Sequence, residues 1–350
     1  MPSATIDTGV LAVPPAGATS DEAYHYVETL LNWSKLLNEP WVAIYMSERA
    51  SEILIDDGLY PLRNALRNLF NANGIVEYDV NTVAQVAERL LQLTPSFETF
   101  FKVRDVLLDD ISNVVTEPDL LSLHTDPGLI SDLARCVVLI AILRNHCRNP
   151  VLDHTLIIKP FGNATIVKVK ALIHDLEHSR DDLEILPQPP EYLEGSILVC
   201  QNFRDLVLNI DEETVWQSAQ DDVGLRLAVQ IALYKSRLQR GLEPDWENVS
   251  SFSLHTEFAA AAKTHCQANP QSLVGKILRS MVETIDSLNM TDTHPLRTGP
   301  GGGNPQRMRE QDTAWRRDID YEYHLHYWKC HNDTVEFGSV VVHNDFSIPY

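Results

Sequence analysis

Apolar residues recur at helical spacing through the first 150 positions of the chain, then give way to β-branched runs. Tyr24, Val27, Leu30, Leu31 and Trp33 line one face of a helix that begins near Ser20. Asp21 and Glu22 fall in its first turn, where the helix dipole favours negative charge. The pattern predicts further helices over Tyr60 to Phe70 and Val83 to Leu93, with Gly74 as a stop and Asn81 or Thr82 as a start. Trp41 to Tyr45 reads as a short strand or a helix start. Leu129 to Arg144 is apolar nearly all round and is expected to be a central buried helix.

Thr155 to Ile158, Ala164 to Ile173 and Ile197 to Cys200 carry the branched side chains that suit a pleated surface. Helical spacing returns over Asp221 to Leu238, Phe258 to His265 and Gln271 to Leu288, with a strand at Ser251 to His255. Pro187 to Pro190 reads as a turn or surface loop, and Gly299 to Gly303 as a flexible linker. Tyr321 to Trp328 and Val335 to Val342 form two strands around a turn at Asn332-Asp333, a C-terminal antiparallel hairpin. The fold class is therefore α+β, with mixed α/β as the alternative. The expected division is a disordered tail over 1–19, a mainly helical domain over 20–150 and a mixed α/β domain over 151–290. A Gly/Arg-rich loop over 291–312 and the hairpin over 313–350 follow.

Composition narrows the function classes. The formal net charge is -21, so the surface as a whole repels polyanions, and nucleic acid binding requires a local basic patch. Five scattered cysteines, with no close pair, argue against a disulfide framework and for a reducing, cytoplasmic setting. The most apolar run, Val137 to Leu143, is too short to cross a bilayer, so no membrane partner is expected.

The candidate chemistry crowds into the hairpin. Pairing residues whose numbers sum to 665 sets Trp328 opposite Phe337, His326 opposite Ser339, His324 opposite Val341 and Glu322 opposite His343. Side chains alternate, so Tyr323, Leu325, Tyr327, Val340 and Val342 form an apolar face. Glu322, His324, His326 and His343 gather on the other face. As a catalytic set, His326, His343 and His324 supply acid/base groups. Arg316, Arg317, Arg309 and Arg307 supply a phosphate clamp, and Trp315 a stacking surface. As a metal set, His324, His326, His343 and Glu322 suit zinc or another divalent metal ion. A third reading leaves these as ordinary sheet residues.

Arg316, Arg317, His343 and the terminal Tyr350 resemble the end of RelE-like ribonuclease toxins, which finish on a hairpin bearing Arg, His and Tyr. Those toxins are small and basic, whereas this chain is large and acidic. Arg148 and His154 are similar to the Arg-x(4–6)-His motif of the helical HEPN ribonucleases. These resemblances imply RNA cleavage, and the expectation extends to a role in bacterial defence or stress control.

The leading expectation is a cytosolic protein acting on nucleic acid phosphodiesters through the C-terminal cluster. One alternative is a non-catalytic subunit that docks on a protein partner through the arginine-rich loop and hairpin. Another is a metal-dependent hydrolase or oxygenase. Weaker signals are the paired acids, such as Asp109-Asp110, and His174, Asp175, Glu177 and His178 at the end of a strand.

Overall fold

Short strands buried on both faces are typical of parallel sheets covered by helices, and the first half of this protein is built on such a sheet. The structure, a computed structural model, describes residues 1–350 except 16, 109, 184–190, 250–251, 267–269 and 301. The chain divides into two compact units, Met1–Asn209 and Ile210–Tyr350. The expected loop at Pro187 to Pro190 lies outside the described residues, as do Asp109, Ser251 and Gly301 from other expected features.

Unit 1 contains β1 (Ser3–Ile6), α1 (Thr8–Leu11), α2 (Ser20–Leu36), β2 (Ala43–Met46), α3 (Ala50–Asp56), α4 (Arg63–Asn73), α5 (Val80–Leu93) and α6 (Phe97–Phe101). It continues with β3 (Val103–Leu108), β4 (Val115–Glu117), α7 (Pro127–Asn145), β5 (His154–Ile157), β6 (Ile166–His178), β7 (Glu191–Cys200) and α8 (Phe203–Asn209). The strand order is β2-β1-β5-β7-β6-β3, with β4 also on β6. β2, β1, β5 and β7 run parallel, while β6, β3 and β4 add antiparallel pairings.

The helices end where local chemistry says they should. Thr19 caps α2, and the Glu22 carboxylate accepts the Thr19 backbone N–H, a reciprocal capping box one residue before the expected start. Gly74 terminates α4 at φ 63, a left-handed conformation that glycine adopts without penalty. Asp79, rather than Asn81 or Thr82, caps α5 through the Thr82 N–H. α7 is buried on nearly every side and packs with β5, β6 and β7 in the main apolar core. No described helix is long and apolar enough to cross a membrane.

The first 19 residues are not the expected disordered tail. Ser3–Ile6 forms a strand between β2 and β5, with all four residues buried. The expected boundary at 150 also falls inside unit 1, because β1 and β2 from the helical half complete the sheet of β5 and β7.

Unit 2 contains α9 (Glu212–Ser218), α10 (Asp222–Gln239), β8 (Phe252–Leu254), α11 (Phe258–Cys266) and α12 (Pro270–Ile285). β9 (Thr293–Pro295), β10 (Met308–Arg309), β11 (Asp312–Asp318), β12 (Tyr323–Lys329) and β13 (Val335–Val342) follow. The strand order is β10-β11-β12-β13-β8, with β9 on β11. The expected hairpin is therefore part of a larger sheet, and the expected boundaries at 290 and 312 lie within it. Residues Arg297 and Gln306 bridge across the base of the glycine loop, which ties both ends of that segment to the sheet.

The register holds at the sum of 665 from Tyr323↔Val342 to His326↔Ser339. A bulge then shifts it, so Trp328 faces Glu336 and Tyr327 faces Phe337, in place of the expected Trp328–Phe337 pair. Gly338 sits at this irregularity, where an added Cβ would lie 2.8 Å from Ile348. Leu325, Tyr327, Phe337 and Val340 are buried on the apolar face, while Val342 at its end is exposed.

Candidate functional site

β11, which the sequence reading did not resolve as a strand, decides which hairpin neighbours share a face. It places Arg316 opposite His326 and Asp318 opposite His324. Adjacent strand residues point to opposite sides, so Arg316 and Arg317 cannot form one clamp. Arg317 is fully buried on the other side, where it donates to Glu283 at 2.8 Å and to the Leu288 carbonyl. Trp315 shares that side and donates its indole N–H to Thr313 Oγ1 at 3.0 Å.

Arg309 is also committed. Its guanidinium donates to both carboxylate oxygens of Glu336 at 2.9 Å, reaches Asp312, and lies 4.7 Å over the Trp328 ring. The Glu336 hydrogen bonds raise its pKa further. Among the described residues, Arg307 and Arg316 make no salt bridge, and the Nε of each is buried without a hydrogen-bond partner. Arg307 helps hold the Asp345 carboxyl below its usual range, behind the larger contribution of Ser347.

The histidine face has a covered end and an open end. At the covered end, residues 345–350 fold back across the sheet. Ser347 offers its carbonyl to His326 Nδ1 at 2.7 Å, and the Pro349 carbonyl accepts the Trp328 indole N–H at 2.9 Å. Ile348 packs with Leu296, Ala314 and Trp328. His326 is fully buried, and desolvation pushes its pKa down to about 4 against the favourable Ser347 bond. Its Nε2 has no partner. His326 is therefore neutral at ordinary pH and closed to a substrate.

At the open end, Asp318 Oδ1 lies 2.9 Å from His324 Nδ1, and His324 Nε2 lies 2.7 Å from His343 Nδ1. The first contact is too bent to count as a hydrogen bond, so it acts by charge. It still favours the proton on His324 Nδ1. A neutral imidazole carries one donor and one acceptor, so His324 Nε2 then accepts from His343 Nδ1–H. That leaves the lone pair of His343 on its exposed Nε2. Burial lowers the His324 pKa, Asp318 opposes that shift, and Arg316 and His343 add to it. His294 Nε2 sits 3.9 Å from the other Asp318 oxygen. Asp318 and His294 were missed by sequence reasoning; the signal was the charged Asp312–Asp318 segment, which alternates like a strand.

Glu322 contributes its carbonyl to the His343 N–H rather than a ligand to a metal. Among the described residues, no three His, Cys, Asp or Glu side chains are disposed to hold a metal ion. The expected set of His324, His326, His343 and Glu322 is thus not assembled as one, nor is that of His174, Asp175, Glu177 and His178.

The Arg148–His154 pair is also separated in role. His154 is buried in β5, with Ser3 Oγ 2.8 Å from one ring nitrogen and Thr5 Oγ1 2.9 Å from the other. It ties β1 to β5, and burial pushes its pKa down to about 3. Unit 1 holds a second polar group at the carboxyl ends of its strands. Thr8 and Ser47 each donate to Asp132 at 2.6 Å, and Asp7 pairs with His124 at 2.8 Å. Burial raises the pKa of both Asp132 and Glu98.

No family model, curated protein or solved structure matches this chain.

Proposed function

We propose that unit 2 performs acid/base chemistry on a phosphodiester of nucleic acid, with His343 as the group that exchanges the proton. The observation that carries this reading is the Asp318–His324–His343 series, which begins at a carboxylate and ends at an exposed imidazole. His324 positions His343 and fixes its tautomer, and Asp318 biases His324. Arg316 on the same face supplies positive charge for a phosphate, having no acidic partner among the described residues. His326, Arg317, Arg309 and Trp315 have no direct part in the reaction, since each is enclosed or already bonded.

The test is cleavage of labelled single-stranded RNA and DNA oligonucleotides by the full chain. His343→Ala and Arg316→Ala should each slow cleavage by about 100-fold or more, with unchanged thermal unfolding. Absence of cleavage by the unaltered protein, or full activity in His343→Ala, removes the proposal.

A further inference from the structure

The strand order in unit 1 creates an opening that the acid/base reading does not use. The chain passes from β1 to β2 on one side, then returns across β1 to place β5 on the other. Right-handed connections in opposite senses run over opposite faces of the sheet. A crevice therefore opens beyond the carboxyl ends of β1 and β5, the place where open α/β sheets receive ligands.

A cavity of about 530 Å³ lies there, in the range that encloses one small molecule. Its walls come from the segments that leave the parallel strands: Val10 after β1, Ile158 and Lys159 after β5, and Gln201 after β7. α2 closes the remaining side with Asp21, Glu22, His25 and Thr29, of which Glu22 is held by the Thr19 capping box. The lining is mainly apolar, with these few polar groups converging on it.

Two side chains are left incomplete. Lys159 is half-buried and makes no salt bridge among the described residues, and burial pulls its pKa down. Asp7 and Asp126 are near enough to oppose that shift but do not pair with it. Asp7 itself is 1% exposed; one oxygen meets His124, and the other, Oδ1, has no partner. Behind the lining, a Cβ on Gly9 would lie 2.0 Å from the His124 ring, so glycine is what lets α1 pass this close to His124.

We propose that this crevice binds a nucleoside monophosphate. The phosphate would take Lys159, which makes no salt bridge among the described residues. The flat base would lie on the apolar wall formed by Val10, Ile158 and neighbouring Leu123. The ribose hydroxyls would meet Asp21 and Thr29, groups suited to accept from a diol. This ligand matches the mixture of a lysine, hydrogen-bond acceptors on α2 and an apolar slot better than a wholly apolar molecule or a free inorganic anion does.

The experiment is calorimetric titration of the full chain with AMP, GMP, CMP and UMP, alongside the matching nucleosides and inorganic phosphate. At least one monophosphate should bind once per chain, with its nucleoside and inorganic phosphate each at least tenfold weaker. Lys159→Met keeps the stem and removes the charge. It should weaken the monophosphate at least tenfold, leave the nucleoside unchanged, and be rescued by Lys159→Arg. Thr29→Trp, which fills the crevice from α2, should abolish both and keeps the test decisive if the Lys159 variants fold poorly. No binding of any monophosphate, equal binding of monophosphate and nucleoside, or unaltered binding to both Lys159→Met and Thr29→Trp overturns the proposal.

Discussion

His154 in unit 1 and His326 in unit 2 are both enclosed, both neutral and both on strands, yet they do different work. His154 meets a hydroxyl at each ring nitrogen, and a hydroxyl can donate or accept, so either tautomer is satisfied. His326 has the Ser347 carbonyl at Nδ1 and nothing at Nε2. The first is a completed tie between strands. The second is an unfinished polar group held under a terminal segment, beside a histidine pair that reaches solvent. Burial alone does not distinguish scaffold from site; the state of the second nitrogen does.

The strongest way to break this comparison is Arg317→Ala. It removes the donor to Glu283 Oε2 and to the Leu288 carbonyl and empties a fully buried site inside unit 2, which should cost about 3–5 kcal/mol there. Hydrogen exchange should register that loss in unit 2 and leave unit 1 unaffected. Acidification comes next. Below about pH 6.5 the unfolded chain gains a proton at His326, and the folded protein does not until about pH 4. Stability therefore falls as pH drops through that window, by about 3 kcal/mol at its lower end. Chemical denaturation followed by exchange in unit 2 should show the slope, and His326→Gln should flatten it there, while His154 gives unit 1 a slope of its own that this variant leaves in place.

His154→Ala should cost about 2–3 kcal/mol in unit 1, because two buried hydroxyls lose a partner and a cavity is left. Denaturant unfolding followed by exchange in β1 and β5 measures it. Removing residues 347–350 should cost about 2 kcal/mol through lost Ile348 packing. It should also bring the His326 titration, read by NMR, back toward the ordinary imidazole range. The smallest change is expected for Arg316→Ala, within about 0.5 kcal/mol of the parent protein. A large loss there would show that Arg316 is structural like its neighbour.

The sequence made the α+β class and the core of the hairpin legible because period-two alternation over seven residues admits few registers. The bulge was less legible, since it depends on how the returning terminus packs against Gly338. Arg316 and Arg317 look equivalent in a basic run; only recognition of β11 as a strand sends them to opposite sides. β1 was hidden for another reason. Four residues between Pro2 and Asp7 carry too little periodicity to separate a central strand from a loose tail. Missing it concealed the carboxyl-end crevice, because that opening exists only through the order of strands far apart in the chain.

That placement also orders events during synthesis. The β1 segment is synthesised before either of its neighbours on the sheet, residues 43–46 and 154–157. Its backbone must wait for about 150 further residues before the second ladder closes, so unit 1 completes its sheet through long-range closure. Until then the apolar side chains Ala4 and Ile6, which end fully buried, stay uncovered on the growing chain.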